Sequence, residues 1–212
     1  RIMLTRRWAL LGIFVLWTAV LAGPAPLLAQ PDPELSAEQA ELDAGADLSS
    51  RARRALFRAR AQQDNGAHAE AAEIITTWLA DDPDRDHHLL RFNLAVSYLA
   101  LERPADALAS LERSVALAPR FARGWLRLGE AAYELEKYRQ AGEAFGRAYD
   151  LSPDRRPEIL YYAGVSLLSG GQPGPALSRL MLLLDLHAAE ASLEWYQALL
   201  AAAIDAGQAG RA

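Results

Sequence analysis

The chain has 212 residues, 51% hydrophobic and 23% charged, with 22 Lys and Arg against 27 Asp and Glu. That balance belongs to a globular chain and excludes a disordered or multi-span membrane protein. Cysteine is absent, which excludes a disulfide framework, a thiolate metal site, a cysteine nucleophile and a lipid-modified cysteine.

The first stretch is "TRRWALLGIFVLWTAVLAGPAPLLAQPDP". Arg6 and Arg7 precede an apolar run from Trp8 to Ala22, then a Gly/Pro break and small residues up to Ala29. A basic start, an apolar middle and a small-residue cleavage site make a secretory signal peptide over residues 1–29. The cut is expected after Ala29, with Ala22 as the second choice. Fifteen apolar residues before Gly23 are short of the about 20 that a spanning helix needs. The expected compartment is therefore the periplasm, the alternative being an uncleaved inner-membrane anchor. Residues 1–30 hold three Arg and no acid, so 19 bases face 27 acids in the remainder. An acidic mature chain excludes general nucleic-acid binding. Residues 31–50 carry six acids and no base, with Pro31, Pro33 and Gly45, and read as an acidic linker over 30–50.

From there the sequence repeats itself. "LAPR" at 117–120 recurs as "LSPD" at 151–154, which puts Pro119 and Pro153 34 residues apart. "ADALASLERSVAL" at 105–117 overlies "RQAGEAFGRAYDL" at 139–151 with the same offset. Pro83 stands 36 before Pro119, and Ala176 stands 35 after Ala141. A fixed period of this size marks a repeat architecture. Four units follow, near 52–85, 88–121, 122–155 and 157–190, and residues 191–212 begin a fifth. Each unit reads as a helix, a short turn and a second helix. In the third, Trp125, Leu128, Ala132 and Leu135 are spaced for a helix over about 122–134. Ala141, Phe145, Ala148 and Tyr149 share a face of a second helix over about 138–151, which Pro153 ends. Gly129 and Ala141 permit the two helices to approach closely, while Trp125, Leu128 and Phe145 are expected to fill the space beside them. The pattern is still running at Ala212, and the chain opens ahead of Met3, so a fragment of a longer protein is expected.

The chain resembles the tetratricopeptide repeat family through Trp125, Leu128, Gly129, Ala141, Phe145, Ala148 and Pro153, with Ala132 in the family's tyrosine place. The second unit matches through Leu94, Ala95, Tyr98, Ala107, Leu111 and Pro119. The first unit (Ala59, Gly66, Ala71, Pro83) and the fourth (Gly164, Gly171, Ala176) match less fully. The resemblance covers about residues 52–208. It implies an all-α, right-handed α-solenoid of four helix–turn–helix units plus the first helix of a fifth, over 51–212. It also implies that the first helix of each unit lines a concave groove that binds a peptide or helix of a partner protein. By repeat phase the groove should show Leu56, Arg60 and Gln63, then Leu89, Phe92, Asn93 and Val96. Arg123, Arg127, Glu130 and Tyr133 follow, then Tyr161, Val165 and Leu168. Phe92, Tyr133 and Tyr161 are the expected apolar anchors, and Arg60, Arg123 and Arg127 the orienting charges. Co-chaperone members of the family grip a C-terminal carboxylate with five such residues. Asn93, Arg123 and Arg127 fall on three of those places, whereas Leu56 and Arg60 depart from the pattern.

No catalytic, cofactor-binding or metal-binding residue emerges. His87 and His88 are neighbours and point about 100° apart on a helix, without an acid or His one turn on, so they read as a polar helix start. His68 and His187 stand alone, and "SGGQPGP" at 169–175 falls where the fourth unit needs its turn. Neither G-x-S-x-G nor G-x4-G-K-[ST] occurs. The expectation is a non-catalytic interaction scaffold of the bacterial cell envelope that uses no cofactor or small-molecule substrate. Its partner would be a protein or peptide, and the signal segment its one membrane contact. The alternative is an N-terminal repeat module of a larger envelope export or assembly protein, or of an enzyme.

Overall fold

The computed structural model describes residues 48–81 and 86–209. The signal segment, nearly all of the acidic linker, and Pro83 lie outside the described residues. Among the described residues the chain is helical, with no strand. The helices are α1 (Ser50–Asp64), α2 (His68–Asp81), α3 (His88–Ala100), α4 (Pro104–Leu117), α5 (Ala122–Glu134), α6 (Tyr138–Leu151), α7 (Pro157–Ser169), α8 (Pro173–Leu186) and α9 (Leu193–Ala209). A short 3-10 turn, Ala188–Glu190, precedes α9.

Local chemistry sets the ends. Ser49 caps α1 by accepting a hydrogen bond from the Ala52 amide at 3.1 Å. His87 caps α3 in the same way, its Nδ1 accepting from the Leu89 amide at 3.2 Å. Pro104, Pro157 and Pro173 open α4, α7 and α8, where a missing amide hydrogen costs nothing. Each turn inside a pair carries one residue with positive φ: Gly66 at 76°, Glu102 at 56°, Glu136 at 57° and Gly171 at 70°. The bend thus recurs once per unit, and two glutamates accept the left-handed conformation that glycine takes without strain.

Helices α1–α2, α3–α4, α5–α6 and α7–α8 pack as antiparallel pairs, and α9 lies on α8 as the first helix of a fifth unit. Each pair closes through a small residue facing a large one. A Cβ built on Gly129 would stand 2.7 Å from Cδ1 of Phe145, and one on Gly164 would stand 2.6 Å from Cγ of Leu180. Ala95 and Ala59 occupy the same place in the earlier pairs and are fully buried. Glycine also lets neighbouring units touch. A Cβ on Gly142 of α6 would meet the Leu167 amide nitrogen at 2.8 Å and the Ala163 carbonyl oxygen at 3.0 Å, both on α7. One expected interior residue is placed elsewhere. Trp125 is only partly buried, and its indole N–H donates to the Pro119 carbonyl at 2.9 Å, strapping the loop ahead of α5. Leu126 and Leu128 bury the apolar face of α5 instead, with Phe121 at its start.

One ion cluster ties a pair together from outside. Asp86 accepts from Arg91 at 2.6 Å and from Arg113 of α4 at 2.7 Å. Burial alone would push its carboxyl up, but the two guanidinium groups outweigh it and hold Asp86 below its ordinary value.

Candidate functional site

The first helices of neighbouring units meet along one side of the stack: α1 touches α3, and α9 touches α7. Their exposed faces form the inner surface, which α1, α3, α5, α7 and α9 furnish in turn.

At the α1–α3 step the surface is polar and tightly bonded. Arg60 Nε donates to Asn93 Oδ1 at 3.2 Å. Gln63 Nε2 donates to the Asn93 carbonyl at 2.7 Å and to Ser97 Oγ at 2.8 Å. Asn93 Nδ2 in turn donates to the Leu89 carbonyl at 2.7 Å. Asn93 is therefore a buried hub joining two units, not a group presented to a ligand. Phe92 also departs from expectation. It is 5% exposed and packs edge-on against Phe121 at 5.1 Å, with the Arg123 guanidinium 5.3 Å above its ring. Phe92 is therefore a core residue lidded by Arg123 and not an exposed anchor. Leu56, Leu89 and Val165 are likewise buried floor residues, while Val96 and Leu168 stay half-exposed on the rim.

At the α5 step Arg127 donates to Glu130 Oε2 at 2.8 Å. Glu130 is 6% exposed, and burial pushes its carboxyl above the ordinary range despite the opposing charge of Arg127. The folded state therefore holds the Glu130 proton more tightly than the unfolded chain. Stability should fall as pH rises from the ordinary glutamate value through the raised one. In Glu130→Gln this slope should flatten, which denaturation midpoints between about pH 4 and 8 would show. The same pair bears on carboxylate gripping. Asn93 is committed to Leu89 and Arg60, and Arg127 to Glu130, so two of the three clamp positions already hold a partner within the chain.

At the α5–α7–α9 step the surface is aromatic. Tyr133 packs edge-on against Tyr138 at 5.3 Å, Tyr161 against Tyr162 at 5.9 Å, and Tyr161 stacks on Trp195 of α9 at 6.4 Å. Burial, helped by Glu194, Tyr162 and Tyr133 nearby, pushes the Tyr161 hydroxyl up to about 12. Both Tyr133 and Tyr161 are half-buried. Trp195 was missing from the expected groove, although the period marks it: it stands 35 after Leu160 and 70 after Trp125. Ser97 and its bond to Gln63 carry no sequence signal of that kind.

The histidines are structural. His88 lies between His87 and Phe121, and burial pushes it down. His187 Nε2 meets the Tyr149 hydroxyl at 3.2 Å, and its Nδ1 lies 3.4 Å from Glu190. Gly170 and Gly171 make the α7–α8 turn, where a Cβ on Gly170 would stand 2.6 Å from the Arg139 amide nitrogen. Among the described residues no group of three His, Asp or Glu is placed to hold a metal ion.

Paired helices in register, a small-on-large contact in each pair and an inner face lined by first helices define a helical-repeat solenoid. The family model described as tetratricopeptide repeat matches residues 92–156 and 126–177. Over that stretch the chain matches tetratricopeptide repeats, and solved structures share its helical-repeat fold. A crystal structure of MamA is 21% identical, covers 72% of this chain and 81% of that one, and superposes with a TM-score of 0.57. Nearly identical TPR-like repeats of a Podosopora anserina kinesin light chain, in a variant form, are 21% identical over 77% of this chain and 90% of that one, with a TM-score of 0.51. MamA residues 41 to the end from Desulfovibrio magneticus RS-1 are 15% identical over 72% and 83%, with a TM-score of 0.54. At these identities the likeness is one of fold. A search of the curated proteins found no match. Repeats of this family are protein–protein interaction scaffolds, and solenoids of this kind are typically non-catalytic.

Proposed function

We propose that the chain is a non-catalytic scaffold of the bacterial cell envelope that holds an extended or helical segment of a partner protein along its inner face. The observation that carries this reading is the pair of half-buried tyrosines Tyr133 and Tyr161 on the first helices of successive units, with Trp195 buried behind Tyr161. The two tyrosines offer a ligand contact across two neighbouring units. Half-buried tyrosines give large, rigid contact area and a polar tip, the make-up of interface anchors. The basic–apolar–small pattern of residues 1–29 supports export.

The test has two arms. Cell fractionation of a tagged full chain should recover protein that begins near Gln30 in the periplasm; unprocessed cytoplasmic protein would remove the envelope from the proposal. Affinity capture from an envelope extract should recover a protein partner with wild type and lose it with Tyr161→Ala, by about 30-fold or more in affinity for an anchor worth ~2 kcal/mol. Capture unchanged in both Tyr133→Ala and Tyr161→Ala, with both variants folded, would overturn the groove.

A further inference from the structure

The start of α3 is built on two imidazoles that must both be neutral. The preferred helix caps are Ser, Thr, Asp and Asn, whose side-chain oxygen accepts an amide. Here the acceptor is a ring nitrogen, Nδ1 of His87, which takes the Leu89 amide at 3.2 Å. A ring nitrogen accepts only while it carries no proton. Protonation at Nδ1 would remove the cap and set two N–H groups against each other. His88 needs neutrality for a different reason. Its ring lies 4.3 Å from that of His87 and meets Phe121 edge-on at 5.2 Å. Its Nε2 is buried and has no hydrogen-bond partner among the described residues. An imidazolium carries N–H on both nitrogens, and a buried unpaired donor costs more when it is charged.

The charges around the pair oppose a further cation. Asp86 adjoins it, but that carboxylate is already held by Arg91 and by Arg113 of α4. Ser114 of α4 presents a hydroxyl, which donates to the His88 carbonyl at 2.9 Å. The start of α5 brings Phe121 and Arg123, whose guanidinium lies over Phe92. On α2 the last residue, Asp81, is exposed to solvent. The first turn of α3 holds no acid, and its amides make this the positive end of the helix.

Phe121 carries the effect further along the chain. It is 4% exposed and stands just ahead of α5. Its ring packs on Phe92 of α3 at 5.1 Å. It also lies so close to α5 that a Cβ on Gly124 would stand 2.6 Å from its Cδ1, with Cγ1 of Val115 of α4 3.2 Å from the same point. The ring that His88 covers is thus a wedge that joins α3 and α4 to the start of α5.

We propose that His87 and His88 form an acid-labile latch, which holds the start of α3 against Phe121 at neutral pH and, when protonated, loosens the grip of α3 and α4 on the start of α5. Burial holds His88 below its ordinary value of 6.5. The unfolded chain therefore takes the proton first. The latch contributes fully above 6.5, and its contribution is lost as pH falls from there through the depressed value. The sign is opposite to that of Glu130, whose contribution is lost as pH rises. The latch uses neither Tyr133 nor Tyr161, so it and the inner-face reading can fail separately.

Hydrogen exchange of the full chain, read by mass spectrometry at about pH 7.5 and about pH 5 and corrected for the intrinsic pH dependence of exchange, tests the latch. The reporters are the Leu89 and Arg91 amides at the start of α3, and the Phe121 and Trp125 amides, which bond to the Ala118 and Phe121 carbonyls. Their protection should fall about fivefold or more in acid, while that of α7 holds. His87→Asn keeps a capping oxygen that does not titrate in this range, and His88→Phe keeps the ring contact without the nitrogens. The double variant, its fold checked by circular dichroism, should show no such loss. Independently, nuclear magnetic resonance of carbon-13-labelled histidine in the wild type, assigned with the single variants, should show His88 titrating below 6.5. Wild-type protection that ignores pH, an acid loss that persists in the double variant, or a His88 that titrates at 6.5 or above would each overturn the proposal.

Discussion

Phe145→Ala is expected to lower unfolding free energy by about 3–5 kcal/mol, the range for emptying a buried phenylalanine site. Phe145 is 3% exposed and lies against Gly129 of the partner helix. The facing residue, Gly129, has no side chain that could move into the space. The effect should reach beyond the third unit. In a solenoid, loosening one pair also weakens its contacts with both neighbours, and the α5–α6 pair stands between α4 and α7. Urea denaturation followed by far-ultraviolet circular dichroism measures this directly. As a control, Phe57→Ala should move the midpoint by no more than about 0.5 kcal/mol equivalent, since Phe57 is on the surface. Equal effects of the two substitutions would refute the packing described for the third unit.

Gly142→Ala should destabilise the contact between the third and fourth units. The new Cβ would press on the Leu167 side chain and also on backbone atoms of α7, and backbone cannot rotate away. Overpacking of this kind costs about 1–3 kcal/mol, partly offset by the better helix propensity of alanine. Gly174 is the matched control. It too lies in a helix, but a Cβ there meets nothing within 4 Å. Gly174→Ala should therefore be neutral or stabilise by up to about 1 kcal/mol. Opposite signs for the two variants would locate the α6–α7 contact between units; the same sign for both would contradict it.

The fold was legible because repetition multiplies weak signals. A single Gly-to-aromatic spacing says little, but Gly129 with Phe145 and Gly164 with Leu180, 35 residues apart, constrain each other. The third unit's helices run Ala122–Glu134 and Tyr138–Leu151, where hydrophobic spacing and Pro153 put them. The groove was less legible, for a geometric reason. Repeat phase says which side of a helix faces inward, but not how deep a side chain sinks once the next unit is stacked on it. Phe92 and Asn93 are on the expected helix yet buried, because Phe121 and Arg123 at the start of α5, and Arg60 and Gln63 of α1, close over them. Tyr133 and Tyr161 keep exposed edges because their neighbours are other aromatics at ring-contact distance. Trp125 misled through its motif: the large residue at that place straps a loop instead of filling the core.

The inner face as the binding surface is tested most directly by site-specific photo-cross-linking in cells. A photoreactive phenylalanine analogue would be placed singly at Val96 or Leu168 on the inner rim, and at Glu143 or Arg147 on the exposed outer face of α6. Captured proteins would then be identified by mass spectrometry. The expected result is one partner protein captured from both Val96 and Leu168, through segments close together in its sequence, and not from Glu143 or Arg147. Capture of the partner from α6 alone, with both rim positions silent, would contradict the claim and move the binding surface to the outer face.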